Sequence, residues 1–175
     1  MKTSLKFRTW LITAVNSGFG RHMTEQLLAR GDRVAGTVQR NEAMDDLKAK
    51  YGDLLWLAHL DMTDTRAIPL VVNKAFAELG KIDVIVNNAG YGLFGPEELS
   101  DEQIAHDLST NLLGPIHLVR AALPHLRAQG GGRIIGLSTY GGQAVLRGRS
   151  RCHASKWRSE GFLDSMAQEL ERWSG

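Results

Sequence analysis

Two side chains capable of acid–base or nucleophilic chemistry lie four residues apart near the carboxyl end of the sequence. Cys152 and Lys156 fall in a segment of helical periodicity, and residues four apart share one face of a helix. A lysine one turn away favours the thiolate form of a cysteine, so Cys152 is a conceivable nucleophile. The alternative is a buried, inert thiol, which is a common role for a free cysteine. The sequence favours the inert thiol.

A turn near the amino end contains glycines that could admit a phosphate. Residues 13–20 read Thr-Ala-Val-Asn-Ser-Gly-Phe-Gly and join a predicted strand to a predicted helix. Glycine lets the backbone approach a pyrophosphate, and the helix N-terminus supplies N–H donors and the positive end of its dipole. A pair of glycines also occurs in ordinary turns, so the prediction rests on the strand–turn–helix–strand setting. The candidate contacts are Thr13, Asn16, Ser17, Gly18, Phe19 and Gly20.

Strands and helices alternate along the whole chain. Short apolar runs predict strands at residues 9–13, 33–38, 54–60, 82–87 and 133–138. Helical periodicity predicts helices at residues 20–30, 42–51, 65–79, 101–129 and 151–173. Strict alternation implies a parallel sheet with helices on both faces. We therefore expect one α/β domain over residues 1–175.

Two segments in the first half of the chain resemble motifs of the short-chain dehydrogenase/reductase family. The turn at residues 13–20 resembles the family's Thr-Gly-x-x-x-Gly-x-Gly turn, with Ala14 at the first glycine. Residues 60–64, Leu-Asp-Met-Thr-Asp, resemble the family's acidic motif after the third strand. This resemblance implies that Asp61 and Met62 lie on the adenine side of a bound dinucleotide.

Two later segments agree with the same family in order and spacing. Residues 87–90, Asn-Asn-Ala-Gly, match the fourth-strand motif, which implies that Asn88, Ala89 and Gly90 lie beside the cofactor. Residues 109–111 resemble the mid-helix segment whose asparagine, here Asn111, takes part in a proton relay. Four motifs in register identify the chain as a member of this family. They imply a Rossmann-like, doubly wound sheet of five parallel strands in the order 3-2-1-4-5.

The resemblance implies that the chain binds a nicotinamide dinucleotide. The end of the second strand bears on whether this cofactor is NAD or NADP. An acid there binds the ribose hydroxyls of NAD and repels the added phosphate of NADP. Residues 37–40 contain no acid and end in Arg40, so we predict a modest preference for NADP, the alternative being a solvated loop arginine.

If Ala14 needs a positive φ, its β-carbon adds strain on the order of 1 kcal/mol and weakens binding. With a negative φ the alanine is harmless.

The family's Tyr-x-x-x-Lys signature is altered in this chain. Residues 152–156 read Cys-His-Ala-Ser-Lys, so Lys156 matches the lysine while Cys152 stands at the tyrosine. In the family the tyrosine exchanges a proton with the substrate oxygen, the lysine lowers its pKa and holds the ribose, and a serine thirteen residues earlier positions the oxygen. That serine corresponds to Thr139, with Ser138 as the adjacent substitute.

Cysteine is shorter than tyrosine by about a phenol ring, so the sulfur of Cys152 should not reach the substrate oxygen. Two neighbours could be considered as replacements. His153 lies about a quarter-turn round the helix and should face elsewhere. Tyr140 lies on the loop after the fifth strand, and nothing in the sequence predicts that its phenol points toward the substrate. The surviving catalytic groups implied by the resemblance are therefore Asn111, Lys156 and Thr139 or Ser138.

Composition and charge argue against several other classes of protein. The formal net charge of +2 does not favour nucleic acid as a partner. No apolar run approaches the roughly 18 residues of a membrane helix, and the single cysteine cannot form an intrachain disulfide. We expect a cytoplasmic protein without a metal, a nucleic-acid partner or a membrane partner. The family resemblance implies that its substrate is a small carbonyl compound or alcohol.

The resemblance covers the family's first five strands and stops after the catalytic helix. The family usually continues through two more strands and a substrate-binding loop, so the last helix should expose apolar surface. The helices at 101–129 and 151–173 resemble the pair that forms the family's dimer contact, which implies a possible homodimer. Three hypotheses remain: an NAD(P)-dependent oxidoreductase, a protein that holds the dinucleotide without turnover, and a truncated remnant with neither activity.

Overall fold

The computed structural model describes residues 7–92 and 100–171 of the 175-residue chain. Five strands are present: β1 Thr9–Ile12, β2 Arg33–Val38, β3 Leu55–His59, β4 Val84–Asn87 and β5 Arg133–Gly136. Six α-helices alternate with them: α1 Gly18–Ala29, α2 Asp45–Tyr51, α3 Ala67–Leu79, α4 Asp101–Leu108, α5 Gly114–Ala128 and α6 Ser150–Glu171. Residue 173, where the last helix was predicted to end, lies outside the described residues.

All strand pairs in the sheet are parallel, and their order is β3-β2-β1-β4-β5. In register, Leu11 of β1 lies between Ala35 of β2 and Ile85 of β4. The predicted fold class and strand order are therefore confirmed. Because the strands are parallel, their carboxyl ends meet at one edge of the sheet, where ligands of doubly wound folds bind.

The core has two apolar layers, one on each face of the sheet. Successive strand side chains point to opposite faces, so Leu11 and Ile85 pack with residues of α3 and α5. Ile12 and Val86 pack on the other face with residues of α1 and α2. The sheet is thus covered on both sides, as the alternation of elements predicts.

The predicted helix at 101–129 is divided by a π-helical turn. The turn comprises Ser109–Leu113, between α4 and α5. Immediately after this turn, Gly114 passes close to the loop that follows β3. A Cβ on Gly114 would lie 2.7 Å from the carbonyl oxygen of Met62 in that loop. The extra residue of the wider turn redirects the side chains on either side of it, and such turns occur frequently at functional sites.

An open groove runs beside β5, which pairs only with β4 within the described part of the chain. The groove has a volume of about 700 Å³, and its apolar lining includes Leu123, Leu126, Ile134, Leu163, Met166 and Leu170. The apolar surface predicted on the last helix is thus present. In residues 7–92 and 100–171, no helix has both the length and the apolar character needed to span a bilayer.

Candidate active site

The glycine turn follows β1 at the carboxyl edge of the sheet. Gly18 has a φ of 53°, and a Cβ on Gly20 would lie 2.4 Å from both the carbonyl oxygen of Ala14 and Nδ2 of Asn88. Ser17, which precedes α1, makes no side-chain cap, and the first turn of α1 contains no acidic residue. The N–H groups of this helix end are therefore available to an anion, and the geometry fits a pyrophosphate.

The backbone after β4 fixes the glycine turn through two side chains. The Thr13 hydroxyl accepts hydrogen bonds from the backbone N–H groups of Asn88 at 3.0 Å and Ala89 at 2.9 Å. In return, the Asn88 amide donates to the carbonyl oxygens of Thr13 at 2.8 Å and Ala14 at 3.1 Å. Thr13, Asn88 and Ala89 thus form one hydrogen-bonded unit, with Gly90 exposed beside it.

Ala14 has a positive φ of 56°. This is the left-handed region, in which the β-carbon of an L-residue crowds the backbone. The condition under which the sequence predicted strain is therefore met. Asn16 is half-buried, whereas Ser17, Gly18 and Phe19 are exposed on the outer side of the turn.

Arg40, predicted to favour NADP, and Asp61, predicted on the adenine side, lie after the carboxyl ends of neighbouring strands. Arg40 is exposed shortly after β2, and Asp61 follows β3. The Asp61 carboxylate accepts hydrogen bonds from the N–H and the hydroxyl of Thr63, both at 2.8 Å. The bond from the Thr63 N–H holds the pKa of Asp61 below its ordinary value. Met62 is buried against Gly114.

Asn111 lies in the π-helical turn and is held from three sides. Its side chain accepts from the N–H of Tyr91 at 2.8 Å and donates to the carbonyl oxygen of the same residue at 2.7 Å. It also donates to Asp107 at 2.9 Å. Its own carbonyl oxygen accepts from the Ser159 hydroxyl of α6 at 2.8 Å. The asparagine therefore connects the loop after β4 with α4 and α6.

Lys156 lies within reach of the same cluster. A Cβ on Gly90 would be 3.6 Å from Oδ1 of Asn111 and 3.8 Å from Nζ of Lys156. The ammonium donates to the carbonyl oxygen of Leu137 at 3.0 Å. Burial lowers the pKa of Lys156, although the charges of Cys152, Asp107 and Glu160 oppose this effect.

A small cavity of about 30 Å³ adjoins Lys156 and has room for one water molecule. Polar residues in its lining include Asn87, Asn111, Ser138 and Glu160. The buried side-chain amide of Asn87 has no hydrogen-bond partner within the described chain. A water in this cavity could supply one, which makes the cavity a polar link between β4 and α6.

The two candidate hydroxyl groups after β5 have different partners. Ser138 donates to one oxygen of Glu160, and Gln143 donates to the other. Thr139 is exposed, and its hydroxyl oxygen accepts from the N–H of Gly141 at 2.9 Å. Within the described residues no acceptor takes the hydroxyl hydrogen of Thr139. Thr139 is therefore the better placed of the two to meet a substrate oxygen.

Cys152 is half-buried on α6, one turn before Lys156. Its neighbour His153 is only 7% exposed and packs against Gly141. The histidine thus faces the turn that carries Thr139, a direction that helical spacing alone did not give. Tyr140 is exposed, which agrees with its position on an open loop.

The sequence analysis overlooked two carboxylates of the site. Asp107 is 2% exposed and contacts Asn111, while Glu160 contacts Ser138. Each lies four residues from a predicted site residue on a helix, and this spacing was the available signal. No group of three or more potential metal ligands occurs among the residues that the structure describes.

Comparison with known proteins agrees with this architecture. The profile of the short chain dehydrogenase family matches residues 8–174, so the chain belongs to that family. Oxidoreductase BOA17 of Botryotinia fuckeliana (strain B05.10) is 32% identical over 165 residues, which are 93% of this chain and 60% of that protein. The predicted family membership is confirmed.

Solved structures show the same fold. A short-chain dehydrogenase from Streptomyces avermitilis superposes with a TM-score of 0.92 at 38% identity, covering 97% of this chain and 62% of the other. A metagenomic short-chain oxidoreductase in complex with NADP superposes with a TM-score of 0.88 at 28% identity, covering 94% of this chain and 77% of the other. The chain spans less than two thirds of the length of the relative and of the first of these structures.

Proposed function

We propose that this chain binds NADP in preference to NAD and acts as an oxidoreductase on a small carbonyl compound or secondary alcohol. The observation that carries the proposal is the open N-terminus of α1 behind a glycine turn fixed by Thr13 and Asn88. Lys156 and Asn111 lie by Gly90 at the same edge of the sheet. Binding and proton-transfer groups therefore share one site, and the metagenomic neighbour contains NADP.

The residues divide into three groups in this proposal. The turn from Thr13 to Gly20 holds the pyrophosphate, Asp61 and Met62 border the adenine, and Arg40 contacts the extra phosphate of NADP. When bound, the nicotinamide supplies or accepts a hydride. Lys156 holds the ribose, Asn111 orients the helix around it, and Thr139 positions the substrate oxygen, with Ser138 held by Glu160.

The half-buried Cys152 favours a second candidate function. A thiol at this position lacks the reach of the family's phenol, so the chain could hold the dinucleotide without turnover. In both cases residues 1–175 act as one dinucleotide-binding domain.

We further propose a homodimer through α4, α5 and α6, because Leu113 and Trp157 expose apolar surface there. A cytoplasmic location stays a prediction.

Replacement of Cys152 distinguishes the two functions. Wild type, Cys152→Tyr and Cys152→Phe are assayed for NADPH-dependent reduction of ethyl acetoacetate and acetophenone. Turnover by wild type supports the oxidoreductase. Turnover by Cys152→Tyr alone, with none by the Phe control, supports the non-catalytic binder as the natural state. If all three bind NADPH and none reduces either ketone, the oxidoreductase proposal is rejected.

A further inference from the structure

His153 has an imidazole nitrogen that the site described above does not use. The residue is 7% exposed, and its Nε2 has no hydrogen-bond partner within the described chain. Buried polar atoms are normally paired, and an unpaired one at a functional site calls for a ligand, a water or a catalytic role. The histidine follows Cys152, the residue that leaves the site without a proton donor.

Gly141 brings this nitrogen close to Thr139. A Cβ on Gly141 would lie 2.7 Å from Nε2 of His153 and 3.3 Å from Oγ1 of Thr139. The same Cβ would lie 2.2 Å from Cδ2 of the histidine ring, so only glycine admits the ring in this position. The space beside Gly141 therefore borders both polar atoms, and a side-chain rotation or one water can join them.

The hydroxyl of Ser138, next to Thr139, is not available as a partner for His153. Ser138 donates its hydrogen to Glu160, whereas the Thr139 oxygen accepts only from the Gly141 N–H and keeps its hydrogen uncommitted in the described structure. A hydroxyl can accept one hydrogen bond and donate another at the same time. Thr139 can thus connect a buried donor to an exposed substrate oxygen.

We propose that His153, acting through the Thr139 hydroxyl, supplies the proton that the family obtains from its tyrosine. This inference rests on the proposed oxidoreductase function. A bound nicotinamide would supply the hydride, and with it both electrons, to the carbonyl carbon. The carbonyl oxygen takes the hydroxyl proton of Thr139, and Oγ1 regains a proton from Nε2. The imidazolium becomes neutral imidazole, and the product is the alcohol.

The direction in which the reduction rate depends on pH follows from this proton transfer. Reduction needs the imidazolium, so its rate should fall as the pH rises and the imidazolium loses its proton. Other titratable or charged groups lie on the elements packed around His153, on its own helix, on the preceding loop and on α4: Cys152, Lys156, Glu160, Tyr140, Arg149 and Asp107. The pH profile must therefore be compared between variants.

The first test does not require turnover. The ¹⁵N resonance of His153 Nε2 is recorded at fixed pH in wild type, Thr139→Val and Thr139→Ser, with His153→Gln to assign it. If Nε2 and the Thr139 hydroxyl are joined as proposed, the valine variant should move this resonance, because it removes that oxygen, and the serine variant should leave it in place. Identical resonances in wild type and Thr139→Val overturn the proposal.

The second test measures reduction of ethyl acetoacetate and acetophenone with NADPH. His153→Gln and Thr139→Val should each lose roughly 100-fold in kcat and the limb of the pH profile that falls with rising pH. In a Cys152→Tyr background, His153→Gln should have little effect, because the phenol donates the proton. An unchanged rate in His153→Gln, or a wild type that binds NADPH and reduces neither ketone, overturns the proposal.

A failure of the proposed function is recognised separately. It appears as a folded wild-type chain that does not bind NADPH, measured by cofactor fluorescence, or as wild type, Cys152→Tyr and Cys152→Phe that all bind NADPH and reduce neither ketone. In that case the ¹⁵N comparison still decides whether His153 and Thr139 are coupled. A His153→Gln protein that unfolds is replaced by Thr139→Val, whose altered side chain is exposed.

Discussion

Ala14 adopts a backbone conformation that disfavours its own β-carbon. The turn needs a positive φ at this position, and in residues 7–92 and 100–171 Ala14 is the only non-glycine residue with one. Its carbonyl oxygen is nevertheless held by Asn88, so the surrounding hydrogen bonds maintain the strained conformation.

Ala14→Gly should therefore stabilise the protein by about 1 kcal/mol, because glycine adopts this φ without a steric penalty. The free energy of unfolding in urea measures the effect, and NADPH should bind more tightly to the variant. Ala105→Gly is the matched control, since Ala105 is exposed in the ordinary helix α4. It should destabilise by roughly 0.5–1 kcal/mol. Destabilisation of similar size by both substitutions would contradict the strain at Ala14.

Arg40 is the residue that we expect to select the cofactor. Arg40→Asp removes a charged contact to the extra phosphate and adds a repulsive carboxylate, so the affinity for NADPH should fall about tenfold or more. The affinity for NADH should change less. Isothermal titration with both cofactors checks this expectation. Arg120→Asp, an exposed position on α5, makes the same change in net charge. Equal losses for both variants would show that only overall charge matters.

At the level of elements, β1 and β4 act together through the unit of Thr13, Asn88 and Ala89. Thr13 is fully buried, so Thr13→Val keeps the shape of the side chain but leaves the Ala89 N–H unpaired, whereas the Asn88 N–H keeps its bond to the carbonyl oxygen of Val86. The cost should be about 1–3 kcal/mol of stability, accompanied by weaker NADPH binding as the turn loses its support. Thr13→Ser retains the hydroxyl and should keep both bonds. Chemical denaturation of the two variants compares them, and equal stabilities would refute the role of the hydroxyl.

The strands and helices were predictable because each follows a local pattern. Apolar runs of the right length predicted the five described strands, and helical periodicity predicted α1, α2, α3 and the start of α6, to within a few residues, whereas α4 and α5 were predicted as one helix. The π-helical turn at Ser109–Leu113 was not predictable from periodicity, because a single wider turn changes the pattern too little over a long helix. This unpredicted turn is thus the one that contains and orients Asn111.

The sequence indicated several residues that the structure brings together, but not Asp107 or Glu160 and not the contacts between them. Family motifs indicated Asn111, Thr139 and Lys156, and the structure brings Asn111 and Lys156 to the same place beside Gly90. The burial of His153 against Gly141 depends on the approach of α6 to the loop after β5. Such tertiary contacts have no local signature in a single sequence, so the direction of the histidine could be learned only from the fold.

At the scale of the whole molecule, the homodimer that we propose rests on exposed apolar side chains. Trp157 on α6 is 52% exposed and Leu113, just before α5, is also exposed. In a homodimer through these helices, Trp157→Glu should shift the protein toward monomer, because a carboxylate would be buried at the contact. Sedimentation velocity measures the change. Leu70→Glu is the control, since Leu70 is 69% exposed on α3. An unchanged dimer in Trp157→Glu places the contact elsewhere.

The central claim is that this fold holds a nicotinamide dinucleotide at the turn after β1. Titration of the folded protein with NADPH, following cofactor fluorescence together with the melting temperature, tests it most directly. We predict saturable binding and a rise in Tm, because ligand binding to the native state stabilises it. Gly161→Ala in α6, where a Cβ meets open space, should bind equally well, whereas Gly20→Val should not bind. No binding and no rise in Tm in a folded wild-type protein would contradict the account.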